Sequence, residues 1–329
     1  MSAEGGKTTV FAALAANVGI AVMKFVAFLL TRSSSMLAES IHSLADSGNQ
    51  VLLLRGSRRS KKKATPEHPF GFGRERYIYG FLVSIIIFSL GGLFALYEAY
   101  EKWHEVHAGH PDQLLEGKWW WVPLAVLGGS ILMEGFSFRT AMKEGNQSRG
   151  NRSWAQFIRS AKEPEVPVVL LEDFAALIGL TFALLGVGLT LLTKNGLFDA
   201  MGSGLIGVLL IGVALVLATE MKSLLVGEAA TPTHTRAIEE SLAHAPGVER
   251  IIHMKTLHLG PEELLVAAKL AVPAAASAAD VAAAINGAED RARAAVPDLT
   301  LLMYLEPDID AGEDYAGRVQ ATPAQPHHR

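Results

Sequence analysis

The sequence predicts an all-α membrane domain of six transmembrane helices followed by a small cytoplasmic α+β domain in helix-strand-strand-helix-strand order. Three observations carry that expectation. Of the 329 residues, 50% are hydrophobic and the mean hydropathy is +0.27, whereas a water-soluble chain of this length needs more polar surface. Six stretches come near the ~20 apolar residues that a helix needs to cross a hydrocarbon core. Between those stretches, basic and acidic loops alternate as a membrane topology requires.

The spans run from Thr9 to Leu30, Ser35 to Leu54, Tyr77 to Tyr100, Trp119 to Ala141, Val166 to Leu192 and Phe198 to Val226. The second is the least apolar, because it carries Glu39, His42, Asp46, Asn49 and Gln50. It is counted as a span because the loop after it is strongly basic: Arg55, Arg58, Arg59, Lys61, Lys62, Lys63, Arg74 and Arg76. The loop after the fourth span is basic too, with Lys143, Arg149, Arg152, Arg159 and Lys162. The loop after the third is acidic, with Glu101, Glu105, Asp112 and Glu116. Positive loops stay on the cytoplasmic side, so both chain ends are expected there. An integral, multi-pass protein is expected, with a bacterial inner membrane as the expected location. Trp103 and Trp119-Trp120-Trp121 suit an interfacial aromatic belt at the other side. Glycines such as Gly186, Gly202 and Gly207 in the last two spans allow close helix approach. The first eight residues lack a secretory-signal pattern, so the first apolar run is expected to remain as a span.

Hydropathy drops after Val226. Residues 229–308 are expected to form the α+β unit, after a six-helix transmembrane domain at 1–228 and before a disordered tail at 309–329. Thr235 to His244 reads as an amphipathic helix, Val248 to Leu259 and Glu263 to Val272 as strands around a Gly260-Pro261 turn, Ala278 to Ala295 as an Ala-rich helix, and Leu299 to Leu305 as the last strand. That order forms an open-faced sheet with both helices on one side.

The net charge of -4 hides basic loops and an acidic C-terminal third, so no nucleic-acid partner is expected. There are 0 cysteines, which removes disulfides and thiolate metal sites. A metal would be held by His, Asp, Glu or backbone oxygen.

Ionisable groups at bilayer depth cost ~2.5–3.5 kcal/mol on insertion scales, so they mark function by default. His42 and Asp46 lie four residues apart, on one helix face, and an imidazole and a carboxylate so placed can share a cation. Glu172 and Asp173 are adjacent carboxylates in an apolar helix, where a divalent cation or protons would relieve their repulsion. Such a mixed nitrogen and oxygen set suits Zn²⁺ and its neighbours better than Ca²⁺ or Mg²⁺. The plainer alternative has His42 bonded to Asp46 and the two acids paired with Arg or Lys. Asn17, Glu39, Glu98 and Glu134 are weaker candidates, the last two as partners of basic groups near a boundary. His104, His107 and His110 read as solvated loop residues.

The run Ser-Met-Leu-Ala-Glu39-Ser-Ile-His42-Ser-Leu-Ala-Asp46-Ser-Gly-Asn49-Gln50 resembles the second transmembrane helix of the cation diffusion facilitator family. The loop His68-Pro69-Phe70-Gly71-Phe72-Gly73-Arg74-Glu75-Arg76 and the run Glu172-Asp173-Phe-Ala-Ala are similar to segments of the same family, in its zinc transporter nine-like branch. The resemblance covers nearly the whole chain. It implies proton-coupled efflux of a divalent metal cation, Zn²⁺ first and Mn²⁺, Fe²⁺ or Co²⁺ as alternatives, by a homodimer in a lipid bilayer. The metal is then a transported substrate, with no prosthetic group and no enzymatic activity. The family's site uses a pair four apart on helix two and a second pair on helix five. His42 and Asp46 match the first and Asp173 matches the second member of the other. The remaining position falls on Val169, so either Glu172 supplies a ligand or water completes the site. The family's tail often binds metal at its dimer interface. Here His253 and His258 alternate poorly for a shared face, and Tyr304 and Glu306 stand near the last strand's end, so the tail is expected to dimerise without those metal sites. A membrane-embedded sensor or scaffold is the competing reading. An intramembrane metalloenzyme ranks below it, since no His-Glu-x-x-His is present.

Overall fold

The computed structural model describes residues 3–31, 34–108 and 119–310, and within them the side chains of 7–29, 40, 43–44 and 46 onward. It divides into two compact units, Met1–Leu225 and Val226–Arg329. His110, the acidic part of the third loop at Asp112 and Glu116, and the expected disordered tail beyond residue 310 lie outside the described residues.

The first unit is helical. Helix α1 spans Ala3–Thr31 and α2 spans Ser34–Arg59. A third long helix runs as α3 (Glu75–Ile86), a π-helical stretch (Ile87–Leu93) and α4 (Phe94–His107). Then come α5 (Val122–Arg149), a short α6 (Trp154–Ser160), α7 (Glu165–Thr193) and α8 (Leu197–Val226). The sequence reading missed α6 because it took the second basic loop as irregular. Ser153 and Gln156 form a reciprocal capping box there, a signal the sequence does carry. Arg149 and Arg152 lie over the Trp154 and Phe157 rings, at 4.7 and 5.7 Å. The π stretch holds Gly91 and Gly92, and a Cβ on Gly92 would meet Ile211 Cγ1 at 2.5 Å. The widened turn thus sits where α8 crosses closely.

Four helices among the described residues are long and apolar enough to cross a membrane: Lys7–Leu29, Glu75–His107, Glu165–Thr193 and Leu197–Val226. Helices α2 and α5, of 26 and 28 residues, are long enough but less apolar. Their burial explains why. On α2, Ser43, Ser47, Asn49 and Gln50 are buried while Leu44 is 62% and Val51 52% exposed. On α5, Ser130, Glu134 and Ser137 are buried while Leu132 is 76% and Phe136 68% exposed. A helix in water shows the reverse pattern.

Helix α1 packs along α2, α5 and α7, and α5 along α7. The α1–α5 approach is close and antiparallel: a Cβ on Gly19 would run into Met133 Cε, and one on Gly129 would lie 2.7 Å from Met23 Sδ. These helices form a bundle whose apolar layer holds Val10, Ala13, Leu53, Val168, Val169 and Leu217.

The second unit follows the expected order: α9 (Pro232–Ala243), β1 (Arg250–Gly260), β2 (Glu263–Ala271), α10 (Ala278–Ala295) and β3 (Thr300–Asp308). Thr231 and Ser277 cap the two helices. The sheet order is β1-β2-β3, with β1 antiparallel and β3 parallel to β2. Leu264, Val266, Ala268 and Leu270 alternate inward along β2 and form one core with Ile238 and Leu242 of α9 and Ala288 and Ala292 of α10. Leu264 is 0% exposed. Leu264→Ala is therefore expected to lower stability by about 2–5 kcal/mol, read as an earlier transition of this unit in denaturant unfolding.

Candidate functional site

The bundle of α1, α2, α5 and α7 encloses a polar layer. Glu172 and Asp173 are consecutive on α7, so their side chains leave the helix ~100° apart and face different neighbours. Glu172 faces α2: its Oε1 accepts from Asn49 Nδ2 at 2.9 Å and its Oε2 from Gln50 Nε2 at 2.8 Å. Gln50 is held in turn, since its Oε1 accepts from Asn17 Nδ2 of α1 at 3.3 Å. Asp173 faces α5, where Ser137 Oγ donates to Oδ2 at 2.6 Å, and the residue is 1% exposed. Val169, one turn before Asp173, is 0% exposed within the apolar layer and offers no ligand.

Asp46 stands one turn from Asn49 and Gln50 on α2 and is half-buried. Its charge acts on both Glu172 and Glu134, and Glu134 interacts also with Asp173 and with Lys24 of α1. His42 lies on the α2 backbone one turn further from Gln50, and its side chain is outside the described residues. The structure thus gathers Asp46, Glu172 and Asp173 into one electrostatic layer. Among the described residues, no three His, Asp or Glu side chains converge tightly enough to hold a metal ion.

The hydrogen-bond partners of Glu172 and Asp173 are amides and a hydroxyl, rather than the Arg or Lys of the plainer sequence alternative. Glu98 does meet a basic group, Lys102 Nζ at 4.0 Å, which also reaches Asp199 Oδ2 at 2.7 Å. Glu134 differs from its boundary reading: it is 5% exposed and belongs to the central layer. The signal for it was present as Ser130, Glu134 and Ser137, a polar stripe at helical spacing in an apolar span. Asn49, Gln50 and Ser137 are the further residues that sequence reasoning left without a role.

At the end of the bundle bearing the basic loops, Arg76 is 5% and Glu165 4% exposed. They form a bidentate pair, Nε to Oε1 at 2.6 Å and Nη2 to Oε2 at 2.7 Å. Glu163 lies 3.7 Å from the same guanidinium. This pair ties the start of α3 to the start of α7, two turns from Glu172 and Asp173 along that helix.

In the second unit the two strand histidines diverge, as their spacing indicates. His258 is 1% exposed, and its partner Leu264 belongs to the helix-covered core. His253 pairs with Lys269, and Lys269 with Glu306, so the three form one row across the other face. Lys269 Nζ reaches Glu306 at 3.2 Å and Asp308 at 2.7 Å. Burial first, and Lys269 next, hold the His253 imidazole below its ordinary pKa. An ammonium in the middle of the row opposes a dication there.

A helical bundle with long apolar helices and a buried acidic layer is the architecture of a multi-pass membrane protein. The chain belongs to the cation efflux family: it matches the Cation efflux transmembrane domain over residues 10–226. It is 34% identical over 265 residues to the mitochondrial proton-coupled zinc antiporter SLC30A9 of Xenopus laevis, covering 79% of this chain and 45% of that protein. The human counterpart is 32% identical over 259 residues, covering 78% and 44%. Metal tolerance protein C4 of Arabidopsis thaliana is 27% identical over 261 residues, covering 78% and 55%. The chain spans about half the length of these curated relatives.

Proposed function

We propose that this chain carries a divalent metal cation, Zn²⁺ foremost, across a membrane in exchange for protons. The observation that carries the reading is a layer of inward-facing carboxylates, the half-buried Asp46 and Glu172 and the buried Asp173, on helices whose outward faces are apolar. In hydrocarbon such a layer is tolerable when a dication or protons balance it. Family membership and the names of the relatives support the same cargo and counter-ion.

The membrane domain has six spans in this reading. The inverted burial of α2 and α5 supports counting them, because polar faces turned inward and apolar faces turned outward suit lipid. Both chain ends then lie on the side of the basic loops. His42, Asp46 and Asp173 are the cargo ligands, and Glu172 joins them only when its bonds to Asn49 and Gln50 break. Protons compete for the same groups, since a neutral imidazole and ionised carboxylates are what bind the metal. The protein works as a homodimer, with the domain at 229–308 as the dimerisation unit. Its sheet face away from the helices, with Leu257, Leu265, Leu302 and the 61%-exposed Tyr304, supports that role. Metal binding in the tail is not part of this reading.

Proteoliposomes loaded in turn with Zn²⁺, Mn²⁺, Fe²⁺, Co²⁺ and Cd²⁺, with a pH dye inside, test it. Metal-dependent proton movement with Zn²⁺ is expected. Silence with every ion would leave a sensor or scaffold in its place.

A further inference from the structure

Lys24 sits 21 residues into α1 yet is only 7% exposed. An ammonium buried within an apolar span needs a stated reason. It acts electrostatically on Glu134 of α5, itself 5% exposed. Helix geometry explains the meeting. Gly19 faces Met133 and Met23 faces Gly129, so Lys24 and Glu134 each stand one residue beyond a contact between antiparallel helices. Side chains lean toward the start of their own helix. Lys24 therefore leans toward the level of Gly19, and Glu134 toward the level of Ser130, which brings the two toward each other.

Glu134 also reaches the layer of the cargo. Its charge interacts with those of Asp173 and Asp46, and Ser137, one turn along α5, donates to Asp173. On the same face, one turn the other way, Ser130 is 0% exposed and its hydroxyl has no partner among the described residues.

We propose that Lys24 and Glu134 are a built-in counter-charge for the transport site: Glu134 adds negative potential that draws the dication in, and Lys24 balances that potential once the dication has gone. Both are positioning residues, acting through Asp46 and Asp173. A layer of carboxylates emptied of a dication would otherwise repel itself strongly in a low-dielectric interior. A cation tethered to α1 limits that repulsion and also opposes the ion, so it keeps binding weak enough for release. This inference rests on the transporter reading above.

The test is equilibrium binding of Zn²⁺ alone to the purified full-length protein by calorimetry, alongside Zn²⁺ flux in proteoliposomes. Lys24→Met is expected to tighten binding by about ten-fold and to lower maximal flux, because release slows. Lys24→Gln is a second neutral variant expected to do the same. Lys24→Arg keeps the charge and should keep both values. Glu134→Gln should weaken binding by about ten-fold, and the Lys24→Met, Glu134→Gln double variant should return it near the starting value. A merely structural pair would weaken binding in both single variants. Neutral Lys24 variants that bind Zn²⁺ no more tightly than the unaltered protein would overturn the proposal. The expected binding pattern with no flux in the unaltered protein would instead sink the transporter reading alone.

Discussion

Asp46→Ala is expected to bring Zn²⁺ flux down to the level of protein-free vesicles while leaving membrane insertion intact. The residue is half-buried on α2, so the backbone does not depend on it for packing. Its carboxylate contributes charge to a layer shared with Glu172 and Glu134. Removing one carboxylate ligand is expected to cost about 3–5 kcal/mol of ion binding, which is roughly 10²–10⁴-fold in affinity. Glu172→Gln should do much less, because both Glu172 oxygens are already engaged by Asn49 and Gln50. Proteoliposome flux of the two variants, normalised to inserted protein, separates them. Full flux from the Asp46→Ala protein would remove the mechanism.

The second large effect concerns stability. Arg76→Met leaves the Glu165 carboxylate buried beside Glu163 without its bidentate partner, and Glu165→Leu leaves a buried guanidinium. Each is expected to cost about 3–5 kcal/mol. The double variant should cost less than either single one, since no uncompensated charge then remains. Thermal unfolding of the purified protein in detergent measures all three. Single variants as stable as the parent would mean that water already reaches this pair.

How much of this was legible beforehand follows from what each signal depends on. The order of elements in the second unit was readable because alternation along β2 and the Ser277 cap are local properties. The strand histidines were readable for the same reason: their spacing alone puts His253 and His258 on opposite faces. Long apolar runs announced α1, α7 and α8. Helix α2 escaped hydropathy and was recovered through the charge of the loop after it. Tertiary pairing was not legible. Glu172 and Asp173 read as one adjacent pair of acids, yet consecutive helical residues diverge, and only the bundle shows that one meets α2 and the other α5. Glu134 read as a partner of a basic group near a boundary; it does interact with one, Lys24, but α1 supplies it within the buried interior.

The inward-turned amides of α2 bear on how the protein is made. A segment rich in Ser, Asn and Gln gains little from oil while alone, so it is a poor candidate to enter the bilayer in isolation. Asn17 lies 33 positions before Gln50 and already holds it, and Ser40 Oγ donates to the Ala21 carbonyl of the same partner. On the six-span reading proposed above, helices α1 and α2 therefore suit lateral entry as a zipped hairpin, with the first helix serving as solvent for the second until α7 arrives to take over the amide pair.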